Sequence, residues 1–334
     1  MTRLLIAAGL VFGLSLQAMA ADDADALKAR YQRPVTIPFP KDNPYTPEKT
    51  ALGKMLFFDT RLSRDRNLSC ASCHNPSFGW EVPFAKAIGA GGKPLGRHAP
   101  TTLNQAWSQN LFWDGRAPTL EAQARGPIEA NVEMDLPLAT ALTRLQEVDG
   151  YKQAFTRAFP KEGLTEANIL KAIATYERTL VTGITPFDRW VRGDAKAISD
   201  SAQRGFVLFN GKAACAACHA GWNFTDDKFH DVGLAGSTDQ GRMVVSKKPE
   251  DEFAMKTPGL REIVSRAPYM HDGSLATLEA VMGHYVAGGT QRPTRSPLMK
   301  PVALDGTEVQ DVLAFMRTLS SPQSVVAMPN LPAH

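Results

Sequence analysis

The stretches Cys70-Ala71-Ser72-Cys73-His74 and Cys215-Ala216-Ala217-Cys218-His219 contain every cysteine of this 334-residue chain. In the spacing Cys-x-x-Cys-His, both thiols can form thioether bonds to the vinyl groups of a haem, and the histidine can bind its iron. A zinc ribbon would need a second ligand pair close by, and a thioredoxin-type redox pair needs no histidine after it. The motifs therefore predict two covalently bound haem c groups. The predicted attachment residues and iron ligands are Cys70, Cys73, Cys215 and Cys218, with His74 and His219.

The first twenty residues have the pattern of a secretory signal peptide. Arg3 is followed by an apolar run from Leu4 to Leu16 and by the small-residue segment Ala18-Met19-Ala20. The run is too short to span a membrane, and no later apolar run reaches that length. Because haem c is attached outside the cytoplasm, the sequence predicts a bacterial periplasmic protein without a membrane span.

The overall charge gives no sign of a nucleic-acid or membrane-surface partner. The formal net charge is +3, and lysines and arginines are dispersed among acidic residues. The length fits two domains of ordinary size or one large domain.

The chain also repeats itself. Gly53-Lys54-Met55-Leu56-Phe57 precedes the first motif, and Gly205-Phe206-Val207-Leu208-Phe209 precedes the second. Downstream, residues 113–122 and 271–280 share Asp-Gly and Thr-Leu-Glu-Ala at the same spacing. Two prolines precede these segments by the same distance: Pro100 and Pro258. The repeats predict an internal duplication of one haem domain.

Local patterns are mainly helical. Thr46, Thr165 and Ser199 each precede a helical pattern that they can cap, and the threonine of each Thr-Leu-Glu-Ala segment can do the same. No segment alternates cleanly enough to require a substantial sheet. We therefore expect a mainly α fold of two cytochrome c-like helical haem domains related by internal duplication.

Breaks in these patterns suggest the domain limits. Residues 21–45, rich in proline and polar groups, predict an extended lead-in, and the proline-containing C-terminus predicts a loose tail. A boundary is expected within residues 183–200. The expected divisions are a signal peptide at 1–20, an N-terminal haem domain at 21–185, a C-terminal haem domain at 186–320 and a tail at 321–334.

Over nearly all of its mature length the chain resembles the bacterial dihaem cytochrome c peroxidase and MauG family, and it is closer to the MauG-like branch. The resemblance rests on four segments: Leu56-Phe57-Phe58-Asp59-x-Arg61-Leu62-Ser63, Phe112-Trp113-Asp114-Gly115-Arg116, residues 126–134 and Ala267-Pro268-Tyr269-Met270-His271-Asp272-Gly273. In that family the N-terminal haem reacts with peroxide, and the C-terminal haem stores or relays electrons. The resemblance thus implies a peroxidatic N-terminal domain and an electron-transfer C-terminal domain.

The same resemblance suggests three catalytic side chains. Peroxide cleavage needs a group that moves a proton between the two oxygens. Glu133 matches the distal carboxylate of the family, and Gln123 matches its distal amide. Trp113 matches the tryptophan that passes electrons between the haems.

The open side of the first haem is expected to lack a histidine ligand. Peroxidases that rest in a closed form have a histidine sixteen residues after the first motif, and that offset from His74 falls on Ala90. We therefore expect a five-coordinate first haem, with His98 as the nearby rival ligand. His98 matches an asparagine that helps bind a calcium ion in the family. The carbonyl oxygens of Arg266 and Pro268 match the other protein ligands of that calcium ion. Oxygen donors suit calcium better than imidazole, so calcium is left open.

The second haem is expected to have a sixth ligand from the helix after His271. The family has methionine in its peroxidases, or tyrosine in MauG, fourteen residues after that histidine, and here the position is Tyr285. Met282 lies one helical turn earlier on the same face and is the rival, and Met270 and His284 are weaker alternatives. A phenolate stabilises high-valent iron, whereas a thioether favours ferrous iron.

These features lead to one expected function and two alternatives. The expected function is reaction with hydrogen peroxide at the N-terminal haem, followed by oxidation of a periplasmic partner protein, with tryptophan modification as one option. MauG has a tryptophan that contacts its partner at the position of Ala213 here, and core packing is the expected role of Trp190 and Trp222. The alternatives are a cytochrome c peroxidase that takes electrons from a small cytochrome c or copper protein, and a dihaem electron carrier without catalysis.

Overall fold

A computed structural model describes residues 25–322 and 325–333, so the predicted signal peptide lies outside the described residues. The helices are α1 (Pro47–Phe58), α2 (Cys70–Cys73), α3 (Leu120–Glu129), α4 (Leu138–Gln146), α5 (Asp149–Ala158), α6 (Glu166–Arg178), α7 (Pro186–Val191), α8 (Asp200–Asn210), α9 (Met243–Ser246), α10 (Leu278–Ala287) and α11 (Gly306–Arg317). Short 3-10 helices are Thr60–Leu62, Pro76–Phe78, Ala90–Gly92, Gln105–Trp107, Cys215–Ala217, Pro249–Asp251 and Ile263–Ser265. The strands β1 (Phe229–His230) and β2 (Met255–Lys256) pair antiparallel, with Phe229 opposite Lys256. The fold is mainly helical with little sheet, as expected.

The helices begin where the sequence predicts. The Thr46 hydroxyl accepts a hydrogen bond from the Lys49 N–H at 3.1 Å, and so caps α1. Thr165 caps α6 and Ser199 caps α8 in the same way. In the repeated segments, Thr119 caps α3 and Thr277 caps α10. These caps supply acceptors for N–H groups that have no partner within the helix.

The duplication is visible in how the helices cross. A Cβ atom on Gly53 of α1 would lie 1.9 Å from the carbonyl oxygen of Ala172 in α6. A Cβ atom on Gly205 of α8 would lie 1.9 Å from the carbonyl oxygen of Asp311 in α11. The two aligned glycines therefore allow the same close helix crossing in each half. The aligned segments downstream also form matching backbone bridges: Leu111 with Ala117, and Tyr269 with Leu275.

Each half has its own apolar core, but the lead-in packs on the second one. α1, α5 and α6 form the first core, which includes Leu52, Phe155 and Ile169. Tyr31 is buried in the second core, where its hydroxyl donates to Asn210 Oδ1 at 2.6 Å. Residues 25–29 are helical. The expectation of a wholly extended lead-in is therefore wrong, because an apolar ring at residue 31 anchors the segment.

The tail is attached where the sequence predicts a loose end. Arg61 Nη2 donates to the carbonyl oxygen of Pro332 at 2.8 Å. Pro332 also lies against Gly150, so a Cβ atom there would come within 2.6 Å of the proline ring. This part of the tail therefore lies on the N-terminal half of the molecule. No helix within residues 25–322 and 325–333 has the length and apolar content that crossing a bilayer requires.

Candidate active site

The first haem motif opens onto a cavity of about 390 Å³. His74 and Cys73 line this cavity together with Glu133, Gln123 and Trp113. The residues come from four separate parts of the N-terminal half, yet the fold brings all of them to one space. The volume lies in the range of cavities that hold small molecules and cofactors.

The two motif histidines have the same orientation. His74 Nδ1 lies 3.2 Å from the carbonyl oxygen of Trp80, and His219 Nδ1 lies 2.9 Å from that of Phe224. In both rings Nδ1 therefore carries the proton and donates it, which leaves Nε2 as the metal-binding nitrogen. Burial lowers the pKa of both histidines, so each is neutral and ready to bind iron. The prolines that the repeat aligns place further carbonyls beside these rings: Pro100 at His74 and Pro258 at His219.

Within the described residues, the four motif cysteines form no disulfide bond and are partly buried. Burial raises the pKa of Cys73 and Cys218 to about 11. It raises the pKa of Cys215 to about 12. Cys70 packs against the aromatic cluster of Phe57, Phe58 and Trp80. The first cavity is lined by Cys73 and the neutral His74 and the second by Cys215, Cys218 and the neutral His219, which fits the attachment of haem c.

Backbone contacts fix Glu133 at the first cavity. It lies in a turn after α3, and its carbonyl oxygen accepts a hydrogen bond from the Ala90 N–H at 2.7 Å. This close approach requires glycine at position 89, because a Cβ atom there would lie 1.9 Å from the Val132 carbonyl oxygen. Burial raises the pKa of the Glu133 carboxyl. Ala90, the position of the histidine in closed peroxidases, thus lies beside the turn that carries Glu133.

His98 also lines the first cavity, but its ring is already engaged. Its Nε2 lies 3.1 Å from Glu81 Oε2, and its Nδ1 lies 3.2 Å and 3.1 Å from the carbonyl oxygens of Phe84 and Ala85. Both nitrogens face oxygen acceptors, which leaves neither with a free lone pair aimed at a metal. The arrangement opposes His98 as an iron ligand.

The second cavity, of about 420 Å³, contains the second motif and the helix with the predicted sixth ligand. His219 and Tyr285 both line it, and so does the rival Met282. Burial raises the pKa of the Tyr285 hydroxyl. His284 Nε2 instead lies 3.0 Å from the carbonyl oxygen of Val232, which turns that ring toward the backbone.

Trp113 lines both cavities. Its Nε1–H donates to the carbonyl oxygen of His98 at 2.8 Å. Its ring lies edge-on to that of His271, with the ring centroids 6.4 Å apart. An aromatic ring shared by the two cavities provides a short route for an electron between them.

Two buried carboxyl groups at the cavities are missing from the sequence prediction. Glu177 of α6 lines the first cavity, and burial raises its pKa to about 8. Glu81 lines the second cavity and pairs with Arg266, its Oε1 lying 2.8 Å from the guanidinium Nε. Glu177 lies in an amphipathic helix pattern that predicts only core packing. The partners Glu81 and Arg266 are 185 residues apart, and no local pattern connects them.

Two cysteine-and-histidine haem sites that share one tryptophan define a dihaem c-type oxidoreductase. A family model for di-haem cytochrome c peroxidase matches residues 47–196, and one for cytochrome c matches residues 202–320. The methylamine utilization protein MauG of Methylorubrum extorquens is 50% identical over 93% of this chain and 89% of its own length. The cytochrome-c peroxidase IdrP1 of Denitromonas iodatirespirans is 37% identical over 87% of this chain and 86% of its own length.

A solved structure agrees with these relatives. The crystal structure of a MauG-like protein associated with microbial copper homeostasis superimposes with a TM-score of 0.81 at 31% identity. The match covers 87% of this chain and 95% of that one. This chain therefore belongs to the family of dihaem cytochrome c peroxidases and MauG proteins. It is a haem-dependent oxidoreductase of the peroxidase type with two haem c groups.

Proposed function

We propose that this protein is a periplasmic MauG-like enzyme that reacts with hydrogen peroxide at its N-terminal haem and oxidises a partner protein. The observation that carries the proposal is the first cavity, where Glu133 and Gln123 face the same space as His74 and Trp113 leads to the second cavity. The 50% identity to a MauG protein supports this branch of the family.

His74 and His219 would hold the two haem irons through Nε2, and Tyr285 would supply a further ligand to the second. The haem groups, when bound, supply the redox chemistry that takes up the oxidising equivalents of peroxide. The protein positions the ligands and carries out the proton transfers.

Glu133 is the proposed acid–base residue. A half-buried carboxyl whose pKa is raised can accept a proton from one peroxide oxygen and return it to the other. No hydrogen bond within the described part of the chain holds the side chains of Glu133 or Gln123, so both are available to bind and orient peroxide. Peroxide takes up two electrons and two protons and leaves as two water molecules.

Trp113 is the proposed electron relay, and the two electrons are proposed to come from a protein. A tryptophan of the partner is one candidate site of oxidation. Position 213, which matches the tryptophan through which MauG contacts its partner, is an alanine in this chain and is buried in the second core. Trp190 is also buried in that core, which agrees with a packing role. We propose a different partner surface from that of MauG, and a periplasmic location on the basis of residues 1–20 and haem c attachment.

One observation favours a second candidate function. Met282 is buried and lines the second cavity beside Tyr285. Thioether ligation there would suit a peroxidase that is activated by prior reduction and draws electrons from a small cytochrome c or copper protein.

The deciding experiment mixes the fully ferric protein rapidly with one equivalent of hydrogen peroxide and no electron donor. A MauG-like enzyme shows prompt bleaching of the Soret band, loss of high-spin iron and a near-infrared feature. A protein that reacts only after the second haem is reduced has the second candidate function, that of a cytochrome c peroxidase activated by prior reduction. If neither the ferric nor the half-reduced form reacts, the protein is an electron carrier and the proposal fails.

A further inference from the structure

A buried charged cluster lies between the two cavities. Glu81 Oε1 accepts hydrogen bonds from Arg266 Nε at 2.8 Å and from the Thr101 backbone N–H at 2.9 Å. Glu81 Oε2 lies 3.1 Å from His98 Nε2. The side chains of Glu81, His98 and Arg266 are all at most 6% exposed. Every oxygen of this carboxylate therefore has a donor, which is the condition under which a buried charge is tolerated.

The cluster connects the segments that form both haem sites. The carbonyl oxygen of Glu81 accepts from the N–H of Asn75, the residue after His74, at 3.0 Å. The His98 backbone N–H donates to the carbonyl oxygen of His271 at 2.8 Å. The His98 carbonyl oxygen in turn accepts the Trp113 indole N–H at 2.8 Å. One residue, His98, thus holds the indole and the second-site loop with its backbone, while its side chain is fixed by Glu81.

We propose that Glu81, His98 and Arg266 are positioning residues that hold Trp113 between the haem sites, and that they replace a bound calcium ion in this role. The proposal rests on the proposed function only in taking Trp113 as the electron relay. One electron crosses from the second site to the first, and the Trp113 indole keeps its proton because Nε1–H stays bonded to the His98 carbonyl.

The ligand set that the family resemblance implies for calcium does not fit this cluster. Calcium takes six to eight oxygen ligands, which can be carboxylates, backbone or amide carbonyls and water molecules. Here both oxygens of Glu81 are occupied by N–H donors, and Arg266 Nη1 also donates to the carbonyl oxygens of Gly259 and Arg261 at 2.9 Å and 2.8 Å. The His98 ring supplies no oxygen where the family has an asparagine, and both of its nitrogens lie within 3.2 Å of protein oxygens. The Glu81 carboxylate is already paired with the Arg266 guanidinium, so it is not free to bind a divalent cation.

The first test measures calcium directly in the purified holoprotein. Elemental analysis after dialysis against calcium is expected to find no stoichiometric calcium. Excess EGTA is expected to leave both the melting temperature and the near-infrared feature after peroxide unchanged. One calcium ion per chain, or loss of the near-infrared feature in EGTA, would overturn the proposal.

The second test uses Glu81→Gln, which keeps the shape of the side chain and removes its charge. Without the Glu81 charge the His98 ring is held less firmly and the indole is less well placed, so the transfer between the haems should slow about tenfold. The rate of the first reaction with peroxide should fall much less. Ultraviolet resonance Raman spectra, with the Trp113→Phe spectrum subtracted, should also show a weaker hydrogen bond at the indole N–H. His98→Gln, which keeps an N–H donor toward Glu81, provides a milder variant if Glu81→Gln does not fold.

Asp188→Asn is the matched control. Asp188 forms a buried ion pair with Arg261, with Oδ1 2.8 Å from Nη2, and neither residue lines a cavity. This variant is expected to lower the melting temperature without changing the indole band or the transfer rate. If Glu81→Gln and His98→Gln behave like Asp188→Asn, the cluster is merely structural and the proposal is wrong. If the wild type does not react with peroxide, the proposed function fails, whereas the calcium and Raman measurements still test the cluster.

Discussion

At the scale of single residues, the Glu133 carboxyl in the first cavity accepts no hydrogen bond from the residues that the structure describes. Glu133→Gln keeps the size of the side chain and removes its ability to accept a proton. We expect the second-order rate of the reaction with peroxide to fall by about 10²- to 10⁴-fold, the usual contribution of a positioned acid–base group. Stopped-flow absorption of the Soret band measures this rate. Glu129→Gln, an exposed residue at the end of α3, is the control and should react like the wild type.

A substitution at Tyr285 tests which residue is the sixth ligand at the second haem. Tyr285→Met replaces a phenolate by a thioether, which favours ferrous iron, so the midpoint potential of this haem should rise. A rise on the order of 100 mV is expected, a fraction of the about 0.8 V that axial ligands span. Spectroelectrochemistry measures it. Met282→Leu should leave the potential near that of the wild type, and the opposite pattern would identify Met282 as the ligand.

Glu177 makes stability depend on pH. Burial raises its pKa from 4.5 to about 8, so the folded chain binds a proton that the unfolded chain has released. The resulting stability is fully present below pH 4.5 and is lost as pH rises through 8. Glu177→Gln should remove this loss, worth at most about 1.4 kcal/mol per pH unit across the window. Melting temperatures between these limits test it, and parallel wild-type and variant curves would contradict it.

At the scale of elements, the glycine crossings determine how tightly the helices of each half pack. Gly53→Ala places a methyl group 1.9 Å from a backbone oxygen of α6, which cannot move away as a side chain can. We expect a loss of about 1–3 kcal/mol or more in the free energy of unfolding. Thermal unfolding of the holoprotein measures the effect. Gly306→Ala at the start of α11, where nothing lies within 4 Å of an added Cβ, should change little.

The elements themselves were accessible from the sequence because their signals are local. Thr46, Thr165 and Ser199 cap helices within three residues of themselves, and the two glycine crossings show up as an aligned repeat. The lead-in is different. Burial of Tyr31 depends on Phe187, Phe206 and Phe224, which come from distant parts of the chain. Proline and polar content near Tyr31 therefore predicted an extended segment, whereas tertiary packing made it part of the second core.

At the scale of the whole molecule, local motifs predict the two haem sites, whereas the contacts that connect the two sites form only in the folded chain. Cys-x-x-Cys-His identifies each haem site within five residues, and the fold brings the predicted residues to the expected cavities. The roles of Glu133, Gln123 and Tyr285 stay predictions. The link between the sites was not predictable, because Glu81 and Arg266 carry no motif and meet only in the folded chain.

Trp113 is the residue through which this link is most directly tested. Trp113→Phe keeps an aromatic ring but removes the indole N–H that bonds to the His98 carbonyl, and phenylalanine is much harder to oxidise than tryptophan. The first reaction with peroxide is proposed to depend on Glu133 and Gln123 and not on the indole, so its rate should stay within a few-fold of the wild type. Formation of the near-infrared feature should slow by about tenfold or more, because the phenyl ring is harder to oxidise and lacks the hydrogen bond that positions the indole. Rapid mixing with detection in both spectral regions separates the two steps. Trp107→Phe is the control: it removes a tryptophan that lines neither cavity and should leave both steps intact. If Trp113→Phe slows both steps equally, Trp113 shapes the first site and is not the relay.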